Sequence, residues 1–173
     1  MITLIAGTNR NNSNSLRVAK FYQNALKYRG LESQILPLTE VPISIYTSDF
    51  YDKPSDDFKP LQDLITHTQK FIFIIPEYNG SFPGVLKAFI DACKFPDSFD
   101  NKKCALVGIA TGNYGNIRGV DHFTGIAHYC GMHVLPLKLH IPAIHNELDV
   151  SGDFFNEKTL KFINQQINKF VEF

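Results

Sequence analysis

Apolar runs and helical stripes alternate along the whole chain, and this alternation restricts the fold more than any other feature. Ile2–Ala6, Phe71–Ile75 and Ala105–Ala110 are largely apolar runs of strand length, and Phe71–Ile75 is apolar throughout. Such runs are typical of strands buried on both faces, in parallel sheets with helices above and below. Two further strands are read near Gln34–Leu38 and within Met132–His140. Helical stripes lie between the runs. Leu16, Ala19, Tyr22 and Leu26 share one face of a first helix that Arg29 and Gly30 stop. Leu61 and Ile65 mark a second, and Pro83 suits the first turn of a third that runs to about Ala92. A fourth ends near Gly131, and the last begins near Asn156 with Leu160, Ile163, Ile167 and Phe170 as its core stripe. Five strands alternating with five helices predict a doubly wound parallel sheet of order 2-1-3-4-5, residues 1–173 forming one domain. Right-handed crossovers then bring the loops after strands one, three and four to the same carboxyl edge.

Composition narrows the function. With 173 residues, 44% of them hydrophobic, the chain can bury one core of ordinary size. Lys plus Arg number 17 and Asp plus Glu number 17, a balance that gives no pull toward nucleic acid or an anionic membrane. Met1 leads directly into the apolar stretch from Ile2, without a basic start or a small-residue cleavage site, so the cytoplasm is the expected address. Cys93, Cys104 and Cys130 form no CxxC pair or zinc spacing and read as buried thiols. His140 and His145 lack a nearby Cys or carboxylate cluster, and no metal is expected.

The three edge loops carry the chemistry. The first, Gly7-Thr8-Asn9-Arg10-Asn11-Asn12-Ser13-Asn14-Ser15, is dense in hydroxyl and amide donors and opens a helix, whose N-terminus attracts phosphate. Arg10 adds a charged contact. Gly7 is followed by no glycine before Gly30 and by no Gly-Lys-Ser/Thr, which excludes dinucleotide and Walker fingerprints and favours a terminal phosphate monoester. The second loop runs Pro76-Glu77-Tyr78-Asn79-Gly80-Ser81-Phe82-Pro83-Gly84. Between a buried strand and a helix, Asn79-Gly80 reads as turning backbone amides toward the edge rather than as a hairpin. In the third, Thr111-Gly112-Asn113-Tyr114-Gly115-Asn116-Ile117-Arg118-Gly119, three glycines permit close approach to a ligand, and Tyr114 can stack on or close over a ring. Each loop alone also admits a plain structural use: a capping cluster, a connection with Ser81 as N-cap, a glycine-rich turn. Three ligand-suited loops on one edge are a much rarer coincidence.

Two motifs carry a resemblance. Gly7, Arg10 and Ser13 match a Gly-Ser-x-Arg-x-x-Ser loop in which Thr8 replaces the usual serine. Pro76-Glu77-Tyr78-Asn79, then Pro83-Gly84 and Leu86-Lys87, match a longer and more specific signature. On these the chain resembles the NADPH-dependent FMN reductases, a group that includes azo, quinone and chromate reductases. The resemblance implies a flavodoxin-like three-layer sandwich, FMN as cofactor, NADPH or NADH as donor, and a small acceptor served by alternating, ping-pong access. It places the FMN phosphate on Thr8, Arg10, Ser13 and Ser15, with Asn14 also binding the cofactor, and the flavin edge on Pro76, Glu77, Tyr78, Asn79 and Gly80. The third loop, Thr111, Gly112, Asn113, Tyr114 and Gly115, differs from the family's commoner Gly-Gly form and would lie on the flavin's other side. The flavin would carry the hydride, so no side chain need act as acid or base. None of the six histidines lies in the three loops, and His122 and His128 read as ordinary residues of one helix.

The resemblance further implies a homodimer or homotetramer with the flavin near the subunit boundary. Ile45–Tyr51, with three aromatics and an isoleucine in a stretch lacking strand or helix period, is the expected interface. Three other readings compete. A flavodoxin-type carrier or redox sensor shares the fold but is usually acidic and lacks the Pro-Glu-Tyr-Asn loop. A hydrolase elbow needs glycines where Asn79 and Pro83 flank Ser81. A nucleotide-binding scaffold without catalysis is the third.

Overall fold

A computed structural model describes residues 1–173. The elements are β1 (Ile2–Ala6), α1 (Asn14–Lys27), β2 (Ser33–Pro37), α2 (Lys59–His67), β3 (Lys70–Pro76), α3 (Gly84–Ala92), β4 (Lys103–Ile109), α4 (Ile117–Tyr129), β5 (His133–Val134), β6 (Leu139–Ile141) and α5 (Glu157–Glu172). All strands join one parallel sheet of order β2-β1-β3-β4-β5, with β6 also paired to β4. The period of two along β3 sorts the core. Phe71, Phe73 and Ile75 pack with Leu61, Phe89 and Phe123 of α2, α3 and α4, while Ile72 and Ile74 pack with Val18, Tyr22 and Ile163 of α1 and α5. Both faces being covered, Phe71–Ile75 can be apolar without a break. No helix is long and apolar enough to cross a membrane.

The strand expected within Met132–His140 is two strands, β5 and β6. His133 N and Leu135 N donate to the Lys102 and Cys104 carbonyls of β4, but beyond Pro136 the next β4-facing amide, Leu137 N, makes no bond to the Leu106 carbonyl, so the ladder is interrupted there. A side chain fills the gap. Gln166 of α5 is wholly buried, and its Nε2 donates to the carbonyls of Leu106 (3.0 Å) and Leu137 (2.9 Å). Its Oε1 accepts from the Tyr22 hydroxyl at 2.8 Å. Burial holds the Tyr22 phenol well above its ordinary pKa, which keeps it a donor. A glutamine on a helix stripe reads as surface in the sequence, and this buried network was invisible there. Pro83 stands just outside α3 as its N-cap residue rather than inside the first turn.

The 45–51 segment divides. Ile45 and Phe50 fold back into the core beside Phe58, whereas Tyr46 and Tyr51 stay exposed, at 55% and 67%. Of the segment's four large apolar side chains, only the two tyrosines are left to face outward.

Gln166→Leu keeps the volume but leaves two carbonyls and a phenol without partners. We expect a loss of about 3 kcal/mol in urea unfolding, since each orphaned buried group costs about 1–3 kcal/mol and neighbours do not add fully. A loss under about 0.5 kcal/mol would show that water replaces the side chain.

Candidate functional site

The three loops meet at the carboxyl ends of β1, β3 and β4, held there mainly by backbone hydrogen bonds. Gly7 N donates to the Ile74 carbonyl (2.9 Å), and Glu77 N to that of Ile109 (2.9 Å). Asn116, nearly fully buried, pins the third loop. Its Nδ2 donates to the Ile75 carbonyl at 3.0 Å, and its Oδ1 accepts from Gly119 N at 3.1 Å, capping α4. Sequence reading left Asn116 without a role, although an Asn three residues before Gly119 at a helix start is a cap signature.

The first loop has the properties of an anion cradle. Ser13 caps α1 through Oγ, which accepts from Leu16 N at 3.2 Å. The backbone N–H groups of residues 11 to 15 find no acceptor within the chain. No acidic residue stands in the first turn of α1 to offset the positive end of its dipole. Arg10 is exposed and pairs with no carboxylate. Ser15 is 1% exposed, and its Oγ has no hydrogen-bond partner. A buried orphan hydroxyl is costly unless something binds it. Asn14 differs from expectation: its Oδ1 accepts from the Arg17 guanidinium at 3.3 Å, so chiefly its backbone N–H faces outward.

The second loop corrects the expectation for Asn79-Gly80. Tyr78 and Ser81 exchange backbone hydrogen bonds of 2.9 and 3.0 Å, and Asn79 and Gly80 have φ of 50° and 75°. The pair closes a two-residue hairpin turn, because Asn and Gly tolerate two left-handed residues in succession. The turn leaves the N–H groups of Asn79 and Gly80 unbonded in the chain, so the expected amides are presented as well. The Tyr78 hydroxyl lies 2.9 Å from Thr8 Oγ1. Ser81 is not a helix cap; its Oγ is 2.9 Å from His122 Nδ1 on α4. That contact gives His122 a partner in the second loop.

In the third loop the glycines are used differently from expectation. A side chain at Gly115 would collide with the backbone of His140 and Ile141, and one at Gly119 with the Asn116 side chain. Only Gly112 faces open space. Tyr114 is 74% exposed. Behind Gly115, burial lowers the His140 pKa, so this imidazole is neutral at pH 7.

A cleft of about 340 Å³ lies among these loops, with Thr8, Arg10 and Ser15 on one wall, Pro76 and Tyr78 on a second and Thr111 on a third. Ser13, Asn14 and Glu77 also line it, while Asn79, Gly80, Gly112, Asn113, Tyr114 and Gly115 stand outside its walls. Asn11 and Asn12 join it from the first loop, and Ile144 from the turn after β6, a position that no sequence signal marks. Chemically, the cleft offers an amide-rich pocket with Arg10 at the first loop and Glu77 at the second, beside an edge of free backbone donors. No thiol lines the cleft: Cys93 and Cys104 are buried as expected, with burial pushing Cys104 up to about 12, whereas Cys130 is only half-buried.

Known proteins resemble this chain in sequence and in fold. An NAD(P)H-dependent FMN reductase of Pseudomonas aeruginosa is 27% identical over 168 residues, covering 90% of this chain and 88% of its own length. A 2-hydroxy-1,4-benzoquinone reductase of a Burkholderia species is 23% identical over 133 residues, 75% of this chain and 73% of its own. The solved structure of a flavoenzyme NAD(P)H:(acceptor) oxidoreductase from Paracoccus denitrificans superposes with a TM-score of 0.85 at 26% identity, covering 99% of this chain and 94% of that one. Residues 1–146 match the NADPH-dependent FMN reductases, a stretch that contains every loop of the cleft, and the chain belongs to that family.

Proposed function

We propose that residues 1–173 form one FMN-binding domain that oxidises NADPH or NADH and reduces a small acceptor, a quinone foremost. The observation that carries this reading is the buried, unpartnered Ser15 Oγ in a cleft lined by free amides and Arg10. These groups fit a phosphate dianion, which takes several charge-assisted hydrogen bonds. Thr8, Arg10, Ser13 and Ser15, with the amide of Asn14, hold the phosphate. Pro76–Gly80 border the isoalloxazine, and the free N–H groups of Asn79 and Gly80 meet its polar rim. Thr111–Gly115 form the opposite border, where Gly115 sets the loop's shape and the exposed Tyr114 ring is free to close over the flavin.

Bound there, FMN supplies the hydride and electron chemistry. The chain's own part is to fix the ring, shield one side of it and admit partners at the other. There is no separate dinucleotide fingerprint, so donor and acceptor use one opening in turn. Quinone is the favoured acceptor because a benzoquinone reductase is among the relatives. A supply of reduced nicotinamide makes the cytoplasm the working compartment. Tyr46 and Tyr51 form the contact of a homodimer or homotetramer that walls the acceptor pocket.

Steady-state turnover of NADPH with a benzoquinone should give parallel double-reciprocal lines. Intersecting lines would mean that both substrates bind together. A flavin-loaded chain that consumes no NAD(P)H would instead be a flavodoxin-type carrier. Light scattering at micromolar concentration should return a dimer or larger, and Tyr46→Glu with Tyr51→Glu should shift it toward monomer without unfolding the core. A wild-type monomer with full activity would remove the interface.

A further inference from the structure

The geometry points to the Tyr78 hydroxyl as a positioning group for the cofactor phosphate: it donates to Thr8 Oγ1 and thereby commits the Thr8 proton to the bound anion. The inference rests on the reading that the cleft holds the phosphate of FMN.

Thr8 is 2% exposed and lines the cleft. Its Oγ1 lies 2.9 Å from the Tyr78 hydroxyl and 3.4 Å from the N–H of Arg10. A hydroxyl has one proton and two lone pairs. The Arg10 N–H can only donate, and it occupies one lone pair. Between the two hydroxyls, the phenol is the stronger acid and the aliphatic oxygen the better acceptor, so Tyr78 donates and Thr8 accepts. Both lone pairs of Thr8 are then used. Its proton has no acceptor within the chain and is left for the cleft. A phosphate oxygen there completes a chain of two hydrogen bonds, phenol to threonine to anion, in which each bond polarises the next.

The same contact gives Tyr78 a second consequence. Its backbone belongs to the second loop, at the ring's edge, but its side chain reaches the first loop, at the phosphate. Phosphate binding and the placement of the second loop are thus joined through one hydrogen bond. Riboflavin, which has the ring but no phosphate, cannot draw on this chain.

The test is equilibrium titration of apoprotein with FMN and with riboflavin, followed by flavin fluorescence quenching, in wild type, Tyr78→Phe, Thr8→Val and the double variant. Tyr78→Phe should weaken FMN about tenfold and leave riboflavin within twofold of wild type. Thr8→Val should weaken FMN at least as much. The double variant should bind FMN no more weakly than Thr8→Val alone, because Tyr78 acts through Thr8. The proposal is overturned if Tyr78→Phe changes neither ligand, if it weakens both equally, as a mere wall for the ring would, or if the two losses add. Wild type binding FMN no tighter than riboflavin would reject the phosphate site itself, a failure visible before any variant is made.

Discussion

A parallel sheet covered on both faces has nowhere to place polar chemistry except its ends, and the rest of this structure follows from that constraint. Phe71–Ile75 of β3 are buried from both sides, so no functional group can sit along the strand. The chain must leave the sheet at its carboxyl edge before it can present a donor. The loops after β1, β3 and β4 do so side by side, tied to neighbouring strands by Gly7, Glu77 and Asn116. Backbone bonds of Gly7 and Glu77 and the Asn116 side chain position the site, which leaves Arg10 and the Ser15 hydroxyl free for a ligand.

The electrostatics at the start of α1 are one-sided. The α1 N-terminus has five consecutive uncommitted amides, no acid in its first turn and an unpaired Arg10. A protein with equal numbers of acidic and basic residues has no global field to attract an anion. The local arrangement supplies that attraction instead, and the orphan Ser15 hydroxyl marks where it converges. The second and third loops offer free amides and an exposed tyrosine, and Glu77 is the one carboxylate among the cleft-lining residues.

Much of the fold was legible because burial leaves a period in the sequence. Strand order, the helix stripes and the convergence of three loops followed from apolar spacing and crossover rules. What escaped were features whose signal is a single polar or cyclic residue. Pro136 splits the last strand, and Gln166 repairs the break from a helix more than two dozen residues away. Asn79-Gly80 carries the strongest short hairpin signal, and the turn forms despite its place between strand and helix, because one rung suffices to close it. The glycines of the third loop looked like room for a ligand, yet Gly115 and Gly119 are spent on packing against β6 and Asn116. The 45–51 segment looked like one apolar surface, but Ile45 and Phe50 serve the core and only the tyrosines remain outside. Long-range partners such as these leave no periodic trace.

The central claim is that the phosphate of FMN is held at the start of α1, and the most direct measurement of it is the affinity of wild-type and Arg10→Ala apoprotein for FMN and riboflavin. Loss of a charged hydrogen bond worth about 1.5–3 kcal/mol should weaken FMN roughly ten- to 150-fold and leave riboflavin unchanged. Equal FMN affinity in the two proteins would contradict the account.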